Sequence, residues 1–203
     1  MKELETKLYN AVLDNNTELL SELLKEQGIN INFKVQNGGT LLHYAKSKEA
    51  VEILMSAGID WTLQDNDGMT AFAKNFERVY IKTYEDILLA MLKVGVDINA
   101  PAYLDEAPVI KISNNATTLS ANIEQLQFLV KNGADLNIKN SQGYTSLMLA
   151  VIKNNIDMVR ALLETGADTS VTDNKGRTAK EIGQSLINSG YFIPALKTII
   201  NDM

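Results

Sequence analysis

An all-α solenoid, built of helix pairs stacked side by side, is the fold class that this 203-residue sequence predicts. Three observations carry the prediction. Five glycines, Gly28, Gly58, Gly95, Gly133 and Gly166, each open a short Gly-apolar-Asn or Gly-apolar-Asp stretch. Twelve residues after each glycine stands Thr40, Thr70, Ala107, Thr145 or Thr178. The glycine-to-glycine steps vary, at 30, 37, 38 and 33 residues, so a connector of constant length joins helical segments of varying length. A period in that range belongs to stacked units, each of which buries its apolar face against the next.

Residues 1–35 read as an opening cap, with Leu8, Ala11 and Val12, then Leu19, Leu20, Leu23 and Leu24, at helical spacing. Glu3, Glu5, Glu18, Glu22 and Glu26 mark the wetted faces, and Asn16-Thr17 fits a helix start. Internal units follow at 36–65, 66–102, 103–140 and 141–173, with a closing cap at 174–203. In the internal units the threonine is placed to accept from the free N–H groups that open the first helix. Ala107 lacks the oxygen, and Pro108 behind it suits the first helical position instead.

The second helix carries Leu54-Met55, Met91-Leu92, Leu129-Val130 or Leu162-Leu163, four and three residues before the glycine that ends it. Gly38, Gly68, Gly143 and Gly176 fall in the excursion before the next helix, fitted to a projecting turn, or finger. From Thr40 to Gly58 is only 18 residues, which predicts loss of a first-helix turn near Lys46-Ser47-Lys48. From Thr70 to Gly95 is 25 and from Ala107 to Gly133 is 26, placing extra residues around Phe76–Thr83 and Asn114–Ala121. In the last unit Pro194 is placed to open a helix whose Leu196, Ile199 and Ile200 face the stack.

The unit Gly143-Tyr-Thr-Ser-Leu-Met-Leu-Ala150, followed by Met158-Val159, Leu162-Leu163 and Gly166-Ala-Asp168, resembles the ankyrin repeat. Thr40-Leu-Leu-His-Tyr-Ala45 is one residue away from that family's Thr-Pro-Leu-His-x-Ala. The resemblance spans essentially the whole chain as about six repeats including two caps, in one domain over 1–203. It implies an ankyrin-repeat solenoid of helix-turn-helix pairs joined by β-turn fingers. It also implies a habit of gripping a partner protein on the concave face, without naming the partner.

Composition narrows the chemistry. There is no cysteine and one histidine, His43, so thiolate zinc sites, cysteine nucleophiles, His-based triads and multi-histidine metal sites have nothing to draw on. In the family the matching histidine ties its turn together, with Thr40 three residues earlier in reach. Asp60, Asp97, Asp135 and Asp168 follow helix-ending glycines, where a carboxylate accepts turn N–H groups. One per repeat, they would lie roughly 10 Å apart, too far to share a metal. No phosphate-cradling glycine loop is present, so no cofactor and no enzymatic activity are expected. A catalytic site in the insertions is disfavoured because they hold neither histidine nor cysteine. Asn15-Asn-Thr17 and Asn115-Ala-Thr117 match the glycosylation pattern, but the charged start of the chain is no export segment.

A net charge of −6 disfavours nucleic acid and anionic membranes as ligands. No apolar run approaches the ~20 residues of a membrane span, so a soluble cytoplasmic protein is expected. Residues 1–100 carry 15 acids against 10 bases, which favours a basic partner. The informative departures are aromatic. Phe33-Lys-Val35 and Ala100-Pro-Ala-Tyr-Leu104 stand where finger tips are otherwise polar; Tyr44 takes a variable first-helix position, and Tyr80 and Tyr84 fall in an insertion. Trp61 shares its register with Ile98 and Leu136, so packing is expected there. The interface candidates are therefore Phe33, Tyr44, Asp65, Asp67, Tyr80, Tyr84, Tyr103, Leu104, Asp105 and Glu106.

Lysine outnumbers arginine 16 to 3, which fits an AT-rich, bacterial genome. The expected function is a protein-protein interaction module, with a bacterial immunity or inhibitor protein that neutralises a cognate toxin as its specific form. The chain is expected to be a monomer when free. The alternative is a secreted effector, or an adaptor or scaffold, that binds a host or regulatory protein.

Overall fold

The computed structural model describes residues 2–114, 120–190 and 194–203. They form two compact units, Met1–Asp97 with Pro101–Asp105, and Ile98–Ala100 with Glu106–Met203. The glycosylation match at 115–117 and most of the expected second insertion lie outside the described residues.

The first unit holds three helix pairs. They are α1 (Glu3–Leu13) with α2 (Thr17–Leu23), a single 3₁₀ turn (Leu41–Tyr44) with α3 (Lys48–Ser56), and α4 (Ala71–Phe76) with α5 (Lys82–Lys93). α1, the 3₁₀ turn and α4 stack in one row, while α2, α3 and α5 stack in a second. The 3₁₀ turn is what remains of the first helix in the short unit, as its 18-residue length requires. In the long unit the extra residues extend α5 and form the connector Glu77–Ile81.

The second unit repeats the plan with α6 (Pro108–Ser113) and α7 (Ser120–Lys131), α8 (Ser146–Ile152) and α9 (Ile156–Glu164), and α10 (Ala179–Asn188) and α11 (Pro194–Asp202). α6, α8 and α10 form one row, and α9 meets α11.

Helical geometry sorts each apolar pair before a glycine. The first member (Leu54, Met91, Leu129, Leu162) is buried and the second (Met55, Leu92, Val130, Leu163), a third of a turn away, is half-buried. Thr70, Thr145 and Thr178 cap their helices by accepting from Ala73 N, Met148 N and Glu181 N at 3.3, 3.4 and 3.3 Å. Ala107 carries no such bond, and Pro108 occupies the first helical position.

The recurring aspartates are turn acceptors. Asp60, Asp135 and Asp168 take the backbone N–H two residues on, from Thr62, Asn137 and Ser170, at 2.9, 2.8 and 2.8 Å. A second feature, not read from the sequence, links successive layers. Asn32, Asn99 and Asn137 accept through Oδ1 from the backbone N–H of Asp60, Asp135 and Asp168, at 2.7, 2.9 and 2.9 Å. Each asparagine lies four residues after its glycine and each aspartate two after the next, so these rungs keep one register.

Two finger glycines of the second unit make a clean comparison. Gly143 and Gly176 sit at φ of 83° and 75°, but a methyl group on Gly143 would overlap Asn174, backbone included, whereas Gly176 faces open space. Gly176→Ala should therefore cost about 1 kcal/mol of backbone strain, and Gly143→Ala measurably more. Chemical denaturation of the two variants checks the order.

Candidate protein-binding surface

Three of the fingers are held by a side chain five residues before the next helix start. Asp65 Oδ1 accepts from Asp67 N and Met69 N at 3.0 and 3.1 Å, and Asn140 and Asp173 repeat this in the second unit. The finger at 35–39 has Val35 at that position, and there Asn37 Oδ1 accepts from Gly39 N instead. Successive fingers are joined by Asn66 N donating to Asn37 O at 3.0 Å and Leu104 N to Gly68 O at 2.8 Å.

Where these fingers meet the first row of helices, the first unit presents a line of amphipathic side chains. Tyr44 and Lys74 each lie four residues after their threonine, so they fall at equivalent places in adjacent layers. The Tyr9 and Tyr44 rings meet edge-to-face at 5.1 Å, and the Lys74 ammonium lies 5.7 Å from the Tyr44 centroid. The Tyr44 hydroxyl donates to Asn37 Oδ1, tying the ring to a finger. Burial, reinforced by Tyr9, raises the Tyr44 pKa, so the hydroxyl stays a neutral donor at physiological pH. All three side chains remain half-buried, with one side open to solvent. A shallow recess of about 280 Å³ opens beside them, lined by Tyr9, Val35, Gln36, Asn37 and Tyr44. Larger furrows between α2 and α3 and between α3 and α5 carry Glu18, Glu49, Glu52 and Asp86 and no aromatic ring.

His43 underpins this surface. Its Nδ1 accepts the Thr40 backbone N–H at 3.0 Å; a backbone N–H only donates, so the ring proton sits on Nε2 and bonds Met69 O at 3.0 Å. Burial lowers its pKa, with the Met69 bond and the Asp65 charge opposing. The native ring thus resists a proton that the unfolded chain accepts, and stability should fall as pH drops below the free imidazole value of ~6.5. Urea unfolding from pH 7.5 to 5.5 would show that slope, and His43→Gln should flatten it.

Three interface candidates are corrected by their surroundings. Tyr103 is only 5% exposed, and its hydroxyl donates to Ala73 O at 2.9 Å in the interior of the first unit, where burial raises its pKa. Phe33 is buried at a register that is elsewhere Leu63, Ile138 and Val171, a regular apolar slot five residues after the glycine. Asp65 is buried and engaged with its own finger and with Lys74 Nζ at 3.1 Å. Burial opposes its ionisation, but the Met69 N–H, the Lys74 ammonium and the Asp67 N–H outweigh it and hold the carboxyl below its ordinary value. The equivalence of positions 65, 140 and 173 is the signal that could have found this.

The remaining candidates fall into separate places. Asp67, Leu104 and Asp105 are exposed on the fingers of the first unit, and Glu106, in the second unit, is half-buried. Tyr80 (53% exposed) and Ile81 lie in the connector at the end of α4 away from its finger, apart from Tyr44. Tyr84, in the first turn of α5, is half-buried; Arg78 Nη1 donates to its hydroxyl at 3.0 Å and the guanidinium lies 5.5 Å from its ring centroid. Trp61 is half-buried, as its register implied. Among the described residues, no three His, Asp or Glu side chains gather in metal-holding geometry, and no helix is long and apolar enough to cross a membrane.

Two family models match the chain, one described as ankyrin repeats (3 copies) over residues 8–102 and one as ankyrin repeats (many copies) over residues 129–182. The chain is an ankyrin-repeat protein. Among solved structures, EF0377, an ankyrin repeat protein, superposes with a TM-score of 0.63 at 25% identity over 97% of both chains. An ankyrin repeat domain from Acinetobacter baumannii gives 0.61 at 22% identity over 95% of both chains. A chain in the complex of a predatory endopeptidase from Bdellovibrio bacteriovorus with an immunity protein gives 0.56 at 23% identity, over 95% of this chain and 97% of that one. Ankyrin repeats are non-catalytic scaffolds that bind other proteins, so this ankyrin-repeat protein is a protein-protein interaction module.

Proposed function

We propose that this ankyrin-repeat protein is an inhibitor of the immunity type, which holds a basic protein such as a toxin against the finger side of its first unit and blocks it. The observation that carries the reading is the line of Tyr9, Tyr44 and Lys74 at the foot of the fingers. These rings are fixed by neighbours yet open to solvent, so they lose little freedom when a partner covers them. The exposed carboxylates of Asp67 and Asp105 supply a negative field that draws in a basic partner. The endopeptidase-immunity complex adds that a chain of this fold and similar length occurs in such an assembly; at 23% identity it carries the fold alone.

Tyr44→Ala should weaken partner binding by more than about 2 kcal/mol, roughly 30-fold, while the helical signal stays intact. Affinity capture from source-cell extract, with wild type and Tyr44→Ala as parallel baits, tests both parts. The expected result is one basic protein held by wild type, lost from the variant, and inhibited at one-to-one stoichiometry. Equal recovery on both baits, or a captured protein whose activity is untouched, would refute the proposal.

A further inference from the structure

The geometry points to Leu104 as a hydrophobic knob that inserts into an apolar pocket, rimmed by lysine or arginine, on the partner protein. This rests on the reading of the first unit as the binding unit and goes further by naming the complementary chemistry. At 71%, Leu104 is the most exposed large apolar side chain among the described residues. It does not hang from a loose loop. Thr70 N donates to Ala102 O at 3.0 Å and Leu104 N to Gly68 O at 2.8 Å, while a bridge joins Met69 to Tyr103, making a short two-stranded ribbon of neighbouring fingers. The inward Tyr103, bonded to Ala73 O, pins that ribbon to α4 directly beside the knob.

The backbone at the knob is the second observation. Leu104 and Asp105 sit at φ of 44° and 67°, where glycine or asparagine is favoured. Every other finger has glycine at the position of Asp105, and Asn37, Asp67, Gln142 or Lys175 at that of Leu104. Asp105 is polar already, but at position 104 a polar residue would suit the free protein better than leucine, which covers Gly68 with one edge and leaves most of its surface in water until a partner removes it.

Charge selects the partner. Asp67 on the adjoining finger and Asp105 beside the knob are exposed, and neither forms an ion pair among the described residues; Asp105 takes one 3.4 Å bond from Gln64 Nε2. A neutral or acidic pocket rim would leave these carboxylates facing like charge or unpaired, whereas a cationic rim matches them. The same carboxylates oppose a nucleic acid, an anionic membrane or a second copy of this chain, whose net charge is −6.

A photo-reactive benzoyl-phenylalanine placed at position 104, and separately at position 44, tests the inference in source-cell extract. Both sites should cross-link the same protein, and the peptide joined to position 104 should carry apolar residues beside Lys or Arg. Cross-linking from 44 alone overturns the knob and leaves the binding face standing; cross-linking from neither overturns both. A cross-link from 104 to another copy of the chain, or to an acidic peptide, also overturns it. With the captured protein in hand, Leu104→Gly should bind at least tenfold more weakly while melting at the same temperature as wild type or higher. A melting temperature lowered by several degrees would show that the leucine serves its own fold by covering Gly68, and would sink the proposal.

Discussion

Replacing Tyr103 by alanine is expected to lower the stability of the first unit by about 3–5 kcal/mol, the range for emptying a large buried aromatic site. The ring is 5% exposed and its hydroxyl donates to Ala73 O from 30 residues away, so truncation leaves a cavity and removes one of the two hydrogen bonds that this carbonyl accepts, the other coming from Glu77 N. Tyr103→Phe removes only the hydrogen bond and should cost about 1–2 kcal/mol. Tyr44→Ala, at a half-buried site whose ring edges remain wet, should cost less stability than Tyr103→Ala. The two tyrosines look alike in the sequence, yet one belongs to the interior and the other to the surface. Urea midpoints followed by circular dichroism separate them, and an unchanged midpoint for Tyr103→Ala would contradict the burial described above.

The second large effect is expected at Asp65. Asp65→Ala strips the acceptor from Asp67 N and Met69 N and leaves Lys74 without its carboxylate, at a cost of about 2–3 kcal/mol. Asp65→Asn should cost less than about 1 kcal/mol, because only the part-exposed Lys74 pairing is weakened. The protein supplies its own control: Asn140 holds the equivalent finger with a carboxamide, accepting from Gln142 N and Tyr144 N at 3.0 and 2.9 Å. The pH dependence follows from the lowered native pKa of Asp65. Its contribution is complete above the unfolded carboxylate value of ~3.9 and is lost as pH falls through the lower native value. Denaturation at pH 7 and pH 3 should therefore show a smaller gap for Asp65→Asn than for wild type. Equal losses for the alanine and asparagine variants would show that the side chain's acceptor role is not what holds the finger.

The helix pairs were legible because glycine and threonine positions are set by backbone needs that recur unchanged in each layer. The 3₁₀ turn of the short unit was legible for a related reason: 18 residues leave no room for two full helices. Burial at the fingers was not. Tyr103 breaks the polar pattern of finger tips, which reads as a surface anchor, whereas its hydroxyl reaches the Ala73 carbonyl in the interior of the first unit. Phe33 and Asp65 are hidden for a different reason: their residue types point to the surface, whereas their register against the equivalent positions of other units points inward. Tyr80 is exposed in the connector after α4 and Tyr84, in α5, is half-buried against Arg78, so the insertion aromatics lie apart from Tyr9 and Tyr44 at the foot of the fingers.

The asparagine rungs bear on how such a chain can change over generations. Each one spans from a fixed place after one glycine to a fixed place after the next, and nothing in it depends on how many residues the intervening helices contain. A layer flanked by such asparagines can be duplicated, deleted or lengthened in its outer connector, and the seam it makes can still close with the same bond; at Thr62, four residues after Gly58, the asparagine is missing. Exposed residues at the finger ends, such as Asp67 and Leu104, are then free to drift independently of the seams, so the outer surface can change without inventing a new interior.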